Sequence, residues 1–155
     1  MMIRELHPSE QEVLKEFLYH AIYIPEGIAA PDRSIIEQPD LAVYINDFGK
    51  QKGDTAVVSF EDGKIIGCAW ARNMNDYGHL EEGMPSIAIS VLPAYRNQGV
   101  GSALLTELFE RLQEQRYQAV SLSVQRANPA MHLYERLGFE TVEDHGEETI
   151  MKKTF

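Results

Sequence analysis

The stretch VLPAYRNQGVGSALL, residues 91–105, sets Gly99 and Gly101 one residue apart just where a helical run begins. Glycine costs about 1 kcal/mol relative to alanine inside a helix, so the pair needs a physical reason. From Gly101 onward Leu104, Leu105, Leu108, Phe109 and Leu112 make an apolar stripe, with Glu107, Glu110, Arg111 and Glu114 on the other side. Upstream, SIAISV at 86–91 alternates as a strand does, and Pro93 ends it. A strand, a glycine loop and a helix in that order leave free backbone N–H groups at a helix N-terminus, where the dipole favours anions. Gly99 and Gly101 permit unusual backbone angles and keep side chains out of the way, while Arg96 and Ser102 add donors. A plain tight turn is the competing reading of the same residues.

Two familiar phosphate motifs are excluded. A Walker loop needs Lys and then Ser or Thr after its last glycine, but Ser102 and Ala103 follow Gly101. The dinucleotide fingerprint needs a third glycine at 104, where Leu104 stands.

Around this centre the chain reads as alternating elements. Residues 2–6 form a short strand, and Pro8 opens an amphipathic helix carrying Val13, Leu14, Phe17 and Leu18. Pro25, Gly27, Pro31 and Pro39 break up the next segment, and DLAVYINDF at 40–48 reads as a short helix. Residues 55–74 hold two apolar runs joined through Asp62 and Gly63, a hairpin. AVSLSV at 119–124 is a further strand; Asn128 then caps a helix started by Pro129 and ended by Gly138. The tail, residues 139–155, reads as two strands around a turn near His145 and Gly146.

At 155 residues the sequence fits one domain, 1–155. Its 44% hydrophobic and 25% charged content is that of a globular protein. No run reaches the length of a membrane helix and the first residues lack a signal-peptide core, so a cytoplasmic protein with no membrane partner is expected. A formal charge of −10 disfavours nucleic acid as a partner and suits a cationic one, although acidic surfaces also serve solubility alone. Cys68 lies in the apolar run IIGCAWA and reads as a buried strand residue. His7, His20, His132 and His145 show no metal-ligand spacing, and no metal is expected.

Arg96, Gly99 and Gly101 match the (Q/R)xxGx(G/A) signature of the GNAT N-acetyltransferase superfamily, and NPAMHLYERLGF at 128–139 resembles its second hallmark segment. The resemblance is strong over residues 86–139 and rests on element order before that. It implies an α+β fold: a mixed, mostly antiparallel sheet of about six to seven strands flanked by helices, splayed at the coenzyme-binding strand. It also implies acetyl transfer from acetyl-CoA to the primary amine of a small molecule or peptide.

By the same resemblance, the amides of Asn97, Gln98, Gly99, Val100, Gly101 and Ser102 hold the pyrophosphate together with Arg96, and the pantetheine arm pairs with the strand edge at Ile89 and Val91. Pro93 is expected to help splay that strand, since it has no N–H. Asn128 is assigned to the coenzyme, and Tyr134 to protonating the departing thiolate. From spacing alone Tyr134 reads first as a core aromatic on the apolar face of its helix, and it is the motif that turns the reading to the thiolate.

Some members carry a Glu near the start of the coenzyme-binding strand, where Ser86 stands here. His79, Glu81 and Glu82 in the preceding loop are therefore the expected candidates for the base, directly or through water. The resemblance places the segment 22–48, with Tyr23, Tyr44, Asp40 and Asp47, where the family builds its acceptor pocket; a packed helical cap with surface acids is the other reading of the same residues. A catalytically silent coenzyme sensor and an interaction domain are the alternative functions. A homodimer is among the assemblies the resemblance implies.

Overall fold

Seven strands form one sheet in the order β1-β2-β3-β4-β5-β7-β6, in a computed structural model that describes residues 1–73 and 83–155. The strands are β1 (Met2–Glu5), β2 (Thr55–Glu61), β3 (Lys64–Arg72), β4 (Ser86–Val91), β5 (Ala119–Gln125), β6 (Glu140–Asp144) and β7 (Glu148–Thr154). The helices are α1 (Glu12–Ala21), α2 (Pro39–Ala42), α3 (Val100–Glu114) and α4 (Ala130–Arg136). Asp62 and Gly63 take φ of 51° and 75° in the β2–β3 hairpin. Two positive φ values in a two-residue turn match the right-handed twist of the flanking strands.

Strand alternation sorts the core into two layers. Leu104, Leu105, Leu108 and Leu112 of α3 pack on Val57, Ile66, Ala69, Ile87, Val120 and Leu122, and Tyr134 of α4 joins them. On the opposite face Leu14, Phe17 and Leu18 of α1 pack on Ala56, Val58, Cys68 and Trp70. The sheet is thus covered on both sides, as a layered domain requires.

The one parallel neighbour pair, β4 and β5, meets in a single rung, Ser86 opposite Ser121, with Ser121 N donating to Pro85 O at 3.0 Å. Past that rung β4 stays in register with β3 through Val91, and β5 stays in register with β7 through Gln125. Each strand follows its antiparallel partner, and the two part from one another. Pro93 lies beyond the strand, in a 3-10 turn over Pro93–Tyr95, so the separation begins well before it. The expected splay is present, but the proline is not its origin.

Two further expectations are corrected. The helix expected over 40–48 is only the four residues of α2, and the chain continues in turns with Asp47 at φ 51°. Its apolar residues Leu41, Tyr44 and Ile45 still pack on the α1 layer, which is where the helical spacing came from. In α3 the helix starts at Val100 and contains Gly101, whose φ is not positive.

Candidate active site

The glycine loop closes on the N-terminus of α3. Gly99 is its N-cap, at φ 82° and ψ 2°, and a β-carbon there would meet nothing within 4 Å. Asn97 is also left-handed, at φ 60°. The first intrahelical bond runs from Ala103 N to Gly99 O at 3.1 Å, so the amides of Val100, Gly101 and Ser102 carry no helical acceptor. Gly99 has no side chain with which to cap them. Residues 96–99 are exposed, so the amides at this terminus are open to an anion from solvent.

Gly101 has a different reason from the one expected. A β-carbon on it would stand 3.2 Å from Leu133 Cδ2 and 3.6 Å from Ile89 Cδ1. It is small so that α3 can approach α4 and β4, and the left-handed angle belongs to Gly99 alone of the two.

The open edge of β4 leads to this loop. Leu92 N bonds Ile66 O at 2.8 Å, which directs the even-numbered backbone groups of β4 toward β3. The odd-numbered groups therefore point toward β5; Ile87 flanks the Ser86–Ser121 rung, and past it no β5 rung among the described residues receives those of Ile89 and Val91. Arg96 Nε donates to Val91 O at 3.1 Å, tying the loop to the end of that edge. Gln98 turns back to Ala94 O at 3.3 Å. The edge at Ile89 and the amides at the start of α3 thus lie at the two ends of one short segment, with Val91 O and Ala94 O between them taken by Arg96 and Gln98.

On the next helix, Asn128 Oδ1 accepts from Ala130 N at 2.9 Å, which anchors the start of α4. Tyr134 is buried beside Phe139, with ring centroids 5.8 Å apart, and its hydroxyl makes no hydrogen bond among the described residues. Burial pushes its phenol up to about 12, so it stays protonated at neutral pH. Cys68 is fully buried and burial pushes its thiol up, which makes it inert as a nucleophile.

Ile89, Val91, Val100 and Tyr134 share the α3 core layer, and Gly101 lies between Ile89 of β4 and Leu133 of α4. Arg96, Asn97, Gln98, Gly99 and Ser102 belong to the loop and first helical turn that follow β4, and Asn128 to the start of α4 after β5. His79, Glu81 and Glu82 lie outside the described residues. Tyr44 packs in the α1 layer with its carbonyl accepting from Trp70 Nε1 at 3.2 Å, whereas Asp40 and Asp47 are exposed. Among the described residues no group of three or more His, Cys, Asp and Glu side chains is placed to hold a metal.

Two features escaped the sequence. Arg72, 1% exposed, forms a two-pronged ion pair with Asp54 at 3.0 and 2.9 Å and also donates to Val43 O and Asn46 O. Glu148 of β7 accepts from Ser123 Oγ of β5. Nothing in local spacing marks either pair; each joins residues far apart in the chain. Concavities also lie elsewhere: one of about 540 Å³ beside Arg4, His7 and Lys50, and one of about 320 Å³ at Gly83, Arg116 and Lys152. Neither includes the glycine loop or Tyr134.

A family model described as the acetyltransferase (GNAT) family matches residues 18–139. A ribosomal protein bS18-alanine N-acetyltransferase of Haemophilus influenzae is 35% identical over 83 residues, which are 54% of this chain and 53% of that protein. The match thus spans about half the length of each. Of solved structures, a PaiA N-acetyltransferase from Thermoplasma acidophilum in complex with coenzyme A superposes with a TM-score of 0.73 at 20% identity, over 99% of this chain and 98% of that one. A ribosomal-protein-alanine N-acetyltransferase from Brucella melitensis gives 0.72 at 18% identity, over the whole of both chains. At these identities the structural likeness establishes the fold.

Proposed function

The chain belongs to the acetyltransferase (GNAT) family, and from that premise we propose that it transfers the acetyl group of acetyl-CoA directly to a primary amine. The observation that carries this reading is the unpaired edge of β4 running into the left-handed Gly99 cradle. An extended amide-bearing arm adds to such an edge as a strand would, and a pyrophosphate suits the bare amides of the helix terminus. The residues present fit the coenzyme, which supplies an activated acyl group when bound.

The chain's own residues then have these tasks. Amides 97–102 and Arg96 hold the anionic end; Ile89 and Val91 align the arm. Asn128 keeps α4 in place and offers its remaining amide nitrogen. Tyr134, protonated at neutral pH, donates to the sulfur as the carbon–sulfur bond breaks. Direct transfer needs no covalent intermediate on the protein.

For the acceptor, the name of the Haemophilus influenzae relative supports the α-amine of an alanine-led peptide as the first candidate, and the charge of −10 supports a cationic amine. The proposal places the enzyme in the cytoplasm as a single domain over 1–155, without nucleic acid or membrane partners, and allows a homodimer. Incubation with acetyl-CoA and a panel of an alanine-led peptide, a lysine-bearing peptide and spermidine, read by thiol release, tests it. Release above the uncatalysed rate with at least one amine is expected. Coenzyme binding without turnover on any of them would favour a sensor instead.

A further inference from the structure

The cradle, α3 and Tyr134 all lie on one face of the sheet, so an acceptor meeting the thioester in the β4–β5 gap enters from the other face. Val120, Leu122 and Val124 of β5 point into the α3 layer, which turns Ser121, Ser123 and Gln125 toward the acceptor face. Ser121 forms the last β4–β5 rung, and Ser123 is the next residue along that face, at the point where the strands part. Directly beside it on β7, Ile150 pairs with Ser123 and Glu148 pairs with Gln125. The half-buried Glu148 turns its carboxylate back over β5, where Ser123 Oγ donates to it. Lys152 shares this face of β7, opposite Ser121, and four nearer charged groups have partners of their own. Arg126 bonds Asp144 at 2.7 Å and Gly146 O at 3.0 Å, and His145 bonds Glu143 at 3.0 Å. Among the described residues no cation pairs with Glu148, so the carboxylate keeps acceptor capacity at the mouth of the gap.

Resting on the acetyltransferase reading, we propose that Glu148, oriented by Ser123, is the general base that takes the proton from the attacking amine. The nitrogen lone pair forms the new C–N bond to the acyl carbon, and the ammonium proton passes to a Glu148 carboxylate oxygen. The C–S bond breaks with the sulfur taking the Tyr134 proton. The protons held by Glu148 and missing from Tyr134 then re-equilibrate through water, so that amine and thioester yield amide and thiol. Ser123 is a positioning residue in this scheme.

The test compares Glu148→Gln, Ser123→Ala, Glu81→Gln and Glu82→Gln with the parent, on whichever amine of the panel the parent turns over fastest. Steady-state rates are taken from pH 6 to 9.5, with coenzyme A affinity and melting temperature measured alongside. Glu148→Gln should keep coenzyme affinity and fold while losing at least about 100-fold in kcat at pH 7. The deficit should narrow as the free amine loses its proton, by pH 9.5 for an α-amine of ordinary pKa near 8, with the range carried to about pH 11 where the fastest acceptor is a lysine-like amine of ordinary pKa near 10.4. Ser123→Ala should show a smaller loss of the same pH shape. Parental rates in Glu148→Gln at every pH, a loss that is flat with pH, or the alkaline-rescued loss appearing in Glu81→Gln or Glu82→Gln instead would overturn the assignment. A parent that acetylates nothing in the panel removes the acetyltransferase reading itself, and the role of Glu148 with it.

Discussion

Gly101 in α3 and Leu133 in α4 meet so closely that a β-carbon on the glycine would stand 3.2 Å from Leu133 Cδ2. This contact joins the helix whose N-terminus faces the anion to the helix that carries Tyr134. Gly101→Val therefore acts first by prising α4 from α3, with overpacking of this kind costing about 1–3 kcal/mol. Adding Leu133→Ala should return most of that stability by vacating the space. Urea denaturation of the single and double variants checks it; a double variant no more stable than Gly101→Val would mean that the glycine is not a packing residue.

Gly99 makes the opposite case, because its β-carbon would touch nothing while its φ is 82°. Gly99→Ala adds only backbone strain, about 1–2 kcal/mol for an L-residue held left-handed. Relief of that strain re-aims the amides of 100–102. Coenzyme A should bind roughly tenfold more weakly, and Gly99→Asn should fall between the two, since asparagine adopts this conformation more readily. Calorimetric titration of the three proteins decides the order.

Arg72 and Asp54 are each 1% exposed at their side chains. The arginine also donates to Val43 O and Asn46 O and lies over the Phe48 ring at 5.1 Å, pinning the turns after α2 to the end of β3. Arg72→Met leaves the buried Asp54 carboxylate without a countercharge, held only by Gly49 N at 2.8 Å and Gln51 N at 3.2 Å, and should destabilise by about 3–5 kcal/mol. For a chain of this size that lowers the melting temperature by roughly 6–20 °C. Arg72→Met with Asp54→Leu should be more stable than Arg72→Met alone. Thermal melts of both variants are the measurement.

What the sequence revealed depended on the range of the interaction. The β2–β3 hairpin, the α3 stripe and the glycine loop are local patterns, and all three are present where residues 62–63, 104–112 and 96–102 placed them. The different reasons for Gly99 and Gly101 were not separable, because Leu133 approaches Gly101 only after α4 folds back over α3. The splay is likewise not a local property of Pro93: it follows from β4 keeping β3 and β5 keeping β7, a competition between pairings. Arg72 with Asp54 and Ser123 with Glu148 are long-range polar contacts. A charged residue ending a strand reads locally as an exposed one.

Tyr134 tests the chemistry most directly, because Tyr134→Phe removes one oxygen and leaves the ring against Phe139. With its phenol pushed up to about 12 by burial, the side chain holds its proton throughout the neutral range. Burial also makes it a weaker acid, but a thiolate leaving in the same apolar surroundings is more basic too, so donation to sulfur remains productive. The Phe variant should bind coenzyme A as the parent does and turn over at least about 100-fold more slowly. Stability supplies an independent signature. A folded-state pKa raised above the unfolded phenol value means that the native protein retains a proton the unfolded chain releases. Parental stability must then fall as pH rises from about 10 toward 12, whereas this contribution is missing from the variant. Paired measurements of kcat, coenzyme affinity and alkaline unfolding separate the roles: near-parental turnover together with a lost alkaline transition would make Tyr134 a packing residue whose hydroxyl is buried but idle.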